Sequence, residues 1–143
     1  ASFGASLSES SWSQNPQEGE WNLTEILCHL RDVEGEVNLA RVEKVLQEKN
    51  PFIPGMDTDP WAEERMYFCQ NGPDALGDFM DRRIRLLSLL EHLRSEDWDR
   101  KARHAIFGPT DLKEIVSIFT GHDRLHVRQV FESIRSLSVT LSW

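Results

Sequence analysis

Leu23, Ile26, Leu27, Leu30, Val33, Val37 and Ala40 recur at intervals of three and four, the spacing that places one apolar stripe along an α-helix. The pattern predicts a helix from Asn22 to about Glu48. Asn22, with Glu25 three residues on, has the form of a capping box, and Asn50, Pro51, Pro54 and Gly55 stop the helix. Asp59-Pro60 reads as an N-cap followed by proline at the first helical position, opening a short helix from Pro60 to about Cys69. Asn71-Gly72 breaks that helix, and Pro73 with Asp74 opens another. Its inward stripe is Leu76, Phe79, Met80, Arg83, Leu86, Leu87, Leu90 and Leu93, and it ends near Arg94.

Ser95 to Pro109 reads as a connector with one helical turn around Trp98. Thr110 or Asp111, the latter with Glu114 three residues on, begins the last long helix. Its stripe runs through Leu112, Ile115, Phe119, His122, His126, Val130 and Ile134. No alternating stretch is long enough to predict a sheet, and there is no internal repeat. The expected fold class is all-α: a bundle of three long helices and one short one. Residues 1–20, rich in Ser, Gln, Gly and Glu, carry no sustained apolar period and read as an irregular lead-in. Residues 21–143 read as the helical domain.

Composition narrows the function classes. A chain of 143 residues is the size of one domain, with 39% hydrophobic and 28% charged residues, enough for a core without disulfides. The longest greasy stretch, Ile84 to Leu93, is interrupted by Arg85, Ser88, Glu91 and His92 and falls short of the roughly 18 residues a membrane span needs. Sixteen Lys and Arg against twenty-four Asp and Glu give a formal net charge of -8. That balance disfavours nucleic acid and anionic membrane surfaces as partners and mildly favours cations, metal ions included. Cys28 and Cys69 lie outside any CxxC arrangement and read as reduced thiols of a cytoplasmic protein. The opening ASFGASLSES lacks the basic start and apolar core of a signal peptide.

The candidate chemistry sits on the last helix, in Gly-His-Asp-Arg-Leu-His-Val-Arg-Gln, residues 121–129. His122 and His126 are four apart, one turn above the other, on the apolar stripe. Inward imidazoles need partners for both ring nitrogens, and a divalent metal ion supplies one to each. His29, between Ile26 and Val33 on the first stripe, is a third inward histidine. Asp32 follows at i+3, placed to accept the second ring N–H or to orient a water. Three histidines on two packed helices form a ligand set that leaves an open coordination position, the pattern of a catalytic site. The other reading of these residues is of core histidines, each satisfied by hydrogen bonds in a bundle without metal. His92, near a helix end beside Glu91, and His104, in the connector among Arg100, Lys101 and Arg103, read as structural or solvated, with His104 an outer-shell candidate.

Glu20-Trp21-Asn22-Leu23-Thr24-Glu25-Ile26-Leu27-Cys28-His29-Leu30 with Asp32, the Pro54-Gly55-Met56-Asp57 stretch before Trp61, and Gly121-His122-Asp123 through His126 to Gln129 together resemble the DinB/YfiT-like superfamily. The resemblance covers about residues 10–135. It implies a four-helix bundle with a three-histidine site for a divalent metal, often nickel or zinc. Carried over residue by residue, the ligands are His29, His122 and His126. It also implies a first bundle helix upstream of the Trp21 motif, where only about twenty residues stand here. Completion by a partner subunit, as in a homodimer joined through an exposed apolar groove, is then an expectation. Characterised members include transferases and isomerases that use low-molecular-weight thiols such as bacillithiol or mycothiol.

Three neutral histidines leave the metal its full charge, which lowers the pKa of a bound water or thiol. The expected function is therefore a metal-dependent enzyme that activates a thiol, as a transferase, or water, as a hydrolase, on a small-molecule substrate. Iron and manganese join nickel and zinc as candidate ions. The competing class is a non-catalytic, metal-stabilised interaction module of a stress or damage response. Asp32 and Asp123 are candidate bases. Arg124 and Arg128 form an i, i+4 pair that could hold an anionic substrate at the mouth. Cys28 reads as a small core residue about 100° around the helix from His29, and Trp21, Trp61 and Trp98 are candidate pocket walls.

Overall fold

The computed structural model describes residues 7–140; residues 1–6 of the expected lead-in and 141–143 of the expected domain lie outside the described residues. The elements are α1 (Glu9–Ser13), α2 (Leu23–Val33), a π-helical turn (Glu34–Leu39), α3 (Ala40–Gln47), β1 (Phe52–Ile53), α4 (Trp61–Glu64), α5 (Gly72–Glu91), β2 (Lys101–His104), β3 (Gly108–Asp111) and α6 (Leu112–Thr140). Single 3-10 turns at Tyr67–Cys69 and Ser95–Asp99 join the later elements. The fold is all-α in its load of helix, with three long helical rods and a minor sheet.

The first rod runs unbroken from Leu23 to Gln47, because the residues at both internal junctions keep right-handed helical dihedrals. Its start is the predicted capping box: Asn22 accepts from the Glu25 N–H at 3.0 Å and Glu25 accepts from the Asn22 N–H at 2.9 Å. The π-turn is what periodicity alone misses. A π-turn holds more residues than an α-turn, so the inward phase slips along the chain. Leu39, Val42 and Val45 are buried, and Ala40, expected on the stripe, is exposed.

α5 packs beside α2 and runs parallel to it, with Gly72 against Thr24 at one end and Arg82 against Gly35 at the other. The approach at Gly72 is close. A Cβ there would lie 2.5 Å from the Trp12 ring and 2.6 Å from the Thr24 hydroxyl. Trp12 comes from α1, within the segment expected to be irregular. It is buried, and its carbonyl accepts the Thr24 hydroxyl at 2.9 Å. A buried tryptophan on a single helical turn leaves no periodic trace, which is why the pattern did not predict it.

α6 begins at Asp111, whose side chain accepts the Glu114 N–H at 3.0 Å while Glu114 accepts the Asp111 N–H at 3.1 Å. The connector before it contains strands that the sequence did not predict. β1 pairs in parallel with β2, and β2 antiparallel with β3, in the order β1-β2-β3. Two- and four-residue strands are too short for alternation to declare itself. They close the second of two core clusters, in which Leu39, Val42, Ile53, Leu86, Leu112 and Ile115 meet. The first cluster gathers Trp12, Leu23, Leu27, Val33, Trp61 and Tyr67.

Met80, Ile84 and Leu87 on α5 and Val127 and Phe131 on α6 are all exposed, although Met80 and Leu87 were expected on the inward stripe. Among the described residues no helix is long and apolar enough to cross a membrane.

The two helical glycines of α5 give a paired test. Gly72→Ala should destabilise the protein by about 1–3 kcal/mol through overpacking. Gly77→Ala, whose new Cβ would meet nothing within 4 Å, should stabilise it by up to about 1 kcal/mol. Urea denaturation midpoints of both variants check the pair.

Candidate metal centre

Because α2 and α6 run antiparallel, the His29 turn of α2 meets the His122–His126 turn of α6. The three imidazoles converge through one kind of atom. His29 Nε2 lies 3.3 Å from His122 Nε2, and His122 Nε2 lies 3.0 Å from His126 Nε2. The group is the cluster of potential metal ligands found among the described residues, with its donor atoms all within 4.8 Å of one another. Nitrogens bound to one cation at 2.0–2.1 Å stand about 3.0–3.4 Å apart in octahedral or tetrahedral arrangements. The observed spacing fits a single divalent ion.

The protonation states fit as well. Burial, and then the neighbouring rings of His126 and His122, push His29 down to about 3. Burial likewise lowers His122, with His126 adding to the shift, and lowers His126 against the opposing hydrogen bond to Gln129. Three imidazoles held neutral at pH 7 are three available lone pairs. For His126 the tautomer is set by its neighbour. Its Nδ1–H donates to Gln129 Oε1 at 2.6 Å, which leaves Nε2 facing the other two rings. His29 Nδ1 and His122 Nδ1 are buried without a hydrogen-bond partner among the described residues. Trp21 packs its ring against His29 with centroids 5.1 Å apart.

The structure places the other sequence candidates elsewhere. Asp32 does not accept a ring N–H from His29. Its carboxylate takes Arg31 Nε at 2.7 Å, Arg65 Nη1 at 2.8 Å and the Tyr67 hydroxyl at 2.9 Å. Burial alone would raise this carboxyl, and those hydrogen bonds outweigh it, holding the group below the usual carboxylate range. Asp32 therefore ties the Arg65–Tyr67 segment to α2; the i+3 spacing put it near His29 but could not show these three competing donors. Asp123 turns from the histidines to Arg83, at 2.8 and 3.0 Å.

Arg124 and Arg128 do not reach the histidine cavity. They line a neighbouring surface groove with Thr120, Val127 and Phe131, which meets the cavity at Glu132. Cys28 is fully buried, its thiol pushed up to about 11 mainly by desolvation and turned to Gln70 Oε1 at 3.6 Å, as a core residue would be. Of the three candidate tryptophans only Trp21 lines the cavity; Trp61 is in the core under the Arg65 guanidinium, 3.8 Å from its ring centroid, and Trp98 sits in the Ser95–Asp99 turn. His92 is exposed. His104 is buried, and its Nδ1 accepts the Ile106 and Phe107 N–H groups, so it closes the β2–β3 turn.

Three contributors escaped the sequence reading. Gln129, at i+3 from His126, was within reach of a helical-spacing argument. Glu34 and Arg83 were not: they are forty-nine positions apart, and Arg83 joins buried Glu34 on one side to Asp123 on the other. Burial opposes the charge on Arg83, and the two carboxylates more than offset it, raising its pKa.

The metal-free site should make stability depend on pH. His29 takes up its proton near 3 when folded, against 6.5 ordinarily. The unfolded chain therefore holds more protons in between, and stability falls as pH drops below 6.5. The expected loss from His29 alone is about 2 kcal/mol by pH 5, at about 1.4 kcal/mol per unit. His122, His126 and, lower down, Asp32 act in the same direction. Urea unfolding of metal-free protein at pH 7 and pH 5 checks this, with a smaller difference expected in His29→Leu.

The family model described as the DinB superfamily matches residues 3–130. A curated protein of Oceanobacillus iheyensis, named "Putative metal-dependent hydrolase", is 25% identical over 128 residues, covering 87% of this chain and 71% of its own length. YuaE of Bacillus subtilis is 21% identical over 137 residues, covering 88% of this chain and 85% of its own. Among solved structures, YfiT from Bacillus subtilis, described as "a probable metal-dependent hydrolase with an unusual four-helix bundle topology", aligns with a TM-score of 0.77 at 20% identity. That alignment covers 92% of this chain and 75% of YfiT, a likeness of fold.

Proposed function

The chain belongs to the DinB superfamily, and from that premise we propose that it is a divalent-metal-dependent hydrolase in which His29, His122 and His126 hold zinc or nickel. The observation that carries this reading is the convergence of three neutral imidazole Nε2 atoms at the base of a cavity. When bound there, the cation supplies Lewis acidity, which activates water near neutral pH and polarises a carbonyl or similar centre.

The chain's own residues do the positioning. Gln129 fixes the His126 tautomer, and Trp21 packs over His29 and shields one side of the rings from water. Ile26 and Leu125 add apolar wall. Activation of a low-molecular-weight thiol would use the same ligands, and so would a module that keeps the metal for stability. Hydrolysis is the better supported reading because the curated Oceanobacillus relative carries that name.

The test is turnover of activated carboxylic esters by the zinc- or nickel-loaded protein. Hydrolysis should vanish with a chelator, return with the ion, and fall at least about 100-fold in His126→Ala. Gln129→Ala should weaken metal affinity about 10- to 100-fold, with most of the rate recovered at saturating metal. Loaded protein that leaves esters and amides intact but conjugates a thiol to an electrophile would replace this reading with the transferase. Loaded protein inert to both would replace it with the non-catalytic module.

A further inference from the structure

The histidines lie at the base of a cavity of about 740 Å³ whose mouth is built from three separate segments: the 16–21 turn, the 58–59 loop and the outer part of α6. Three carboxylates line it, those of Glu20, Asp59 and Glu132, and no Lys or Arg does among the described residues. Glu132 is paired with Arg128 Nε at 2.8 Å. Glu20 and Asp59 have no ion-pair partner among the described residues.

Both of these side chains are released from the local roles their positions suggest. The sequence pattern expects Asp59 as an N-cap with Pro60 first in the helix, but α4 starts one residue later with Pro60 at the cap position, so Asp59 stands outside it. Glu20 is carried on the turn closed by its N–H to the Gln17 carbonyl at 3.2 Å and by Asn15 Nδ2 to the Glu20 carbonyl at 2.6 Å. Those bonds use its backbone and leave its carboxylate for the cavity. Ser133, two turns beyond His126 on α6, also lines the cavity; it is only 1% exposed and its hydroxyl has no hydrogen-bond partner among the described residues. A buried, unsatisfied hydroxyl in a cavity wall is a position where a ligand's polar atom gains free energy.

We infer that this mouth takes a substrate that carries an organic cation, an ammonium or guanidinium, on the side away from its reacting group. The inference deepens the metallohydrolase reading and rests on it. A dication on three neutral histidines attracts the electron-rich reacting group, and the acidic rim attracts the opposite charge, so the cavity orients a dipolar substrate along its depth. Trp21, in the same wall, brings an aromatic ring to the cavity, a group that attracts cations. An anionic tail would meet two uncompensated carboxylates, and the arginine beside the rim, Arg128, is already paired with Glu132.

The experiment compares three hydroxamic acids of equal length, which bind an open metal position through the same head group. They are hexanohydroxamic acid, its ω-ammonium analogue and its ω-carboxylate analogue, titrated calorimetrically into zinc-loaded protein. The ammonium compound should bind about five- to tenfold more tightly than the neutral one, the scale of two exposed charge contacts, and the carboxylate compound more weakly. The ammonium advantage should shrink with added salt. It should fall below about twofold in the Glu20→Gln, Asp59→Asn double variant while the neutral compound binds as before. Equal affinities for all three tails, or a preference that survives the double variant, would overturn the inference and leave the metal reading standing. Failure of all three to bind protein that retains its zinc would overturn the open-position reading and this inference with it.

Discussion

Arg83 stands where α2, α5 and α6 meet, and its guanidinium is shared between Glu34, at the end of α2, and Asp123, on α6. Glu34 is 1% exposed. A carboxylate taken that far out of water costs several kcal/mol unless it is paired, and breaking such a pair from one side typically costs about 3–5 kcal/mol. The Arg83 fork therefore sets the height of α6 against α2. Asp123 adjoins His122, and Glu34 lies five positions beyond His29, so a slip of one turn at this contact would carry His122 away from His29. The histidine site depends on an ion cluster that contains no histidine.

The same constraint shows what could be read from the chain alone. The rods announced themselves because each is long, amphipathic and capped by residues that do what their chemistry suggests, as at Asn22 with Glu25 and Asp111 with Glu114. His122 and His126 were legible because i, i+4 is a local relation on one helix, and His29 because it shares the phase of its apolar stripe. Features decided by distant partners were not legible. Asp32 has the right spacing for His29 but is claimed by Arg31, Arg65 and Tyr67. The slip of phase at Ala40 depends on a π-turn that no side-chain pattern marks, and the strands at Ile53, Ala102 and Thr110 are too short to alternate.

Charge is distributed so that the depth of the cavity is neutral and its rim acidic. Burial keeps the imidazoles neutral, so any charge at the base would be the cation's own. Arg128 neutralises one rim carboxylate, Glu132, but Glu20 and Asp59 stay acidic, and other arginines are committed away from the cavity, Arg83 to Glu34 and Asp123 and Arg65 to Asp32 and Glu36. Net charge of the whole chain would have hinted at a preference for cations, but only the placement of Glu20 and Asp59 at the mouth turns that bias into a statement about substrate.

The central claim is that His29, His122 and His126 hold one divalent ion, and its most direct test is metal content. Elemental analysis would be run on tag-free protein, as purified and after incubation with zinc, nickel, iron and manganese ions followed by desalting. Wild type and the three single alanine variants would be compared. Close to one equivalent of one of these metals is expected in the wild type, with loss of most of it in each variant. A wild type that neither carries nor retains any of these metals would contradict the account and leave the three rings as a buried histidine cluster without an ion.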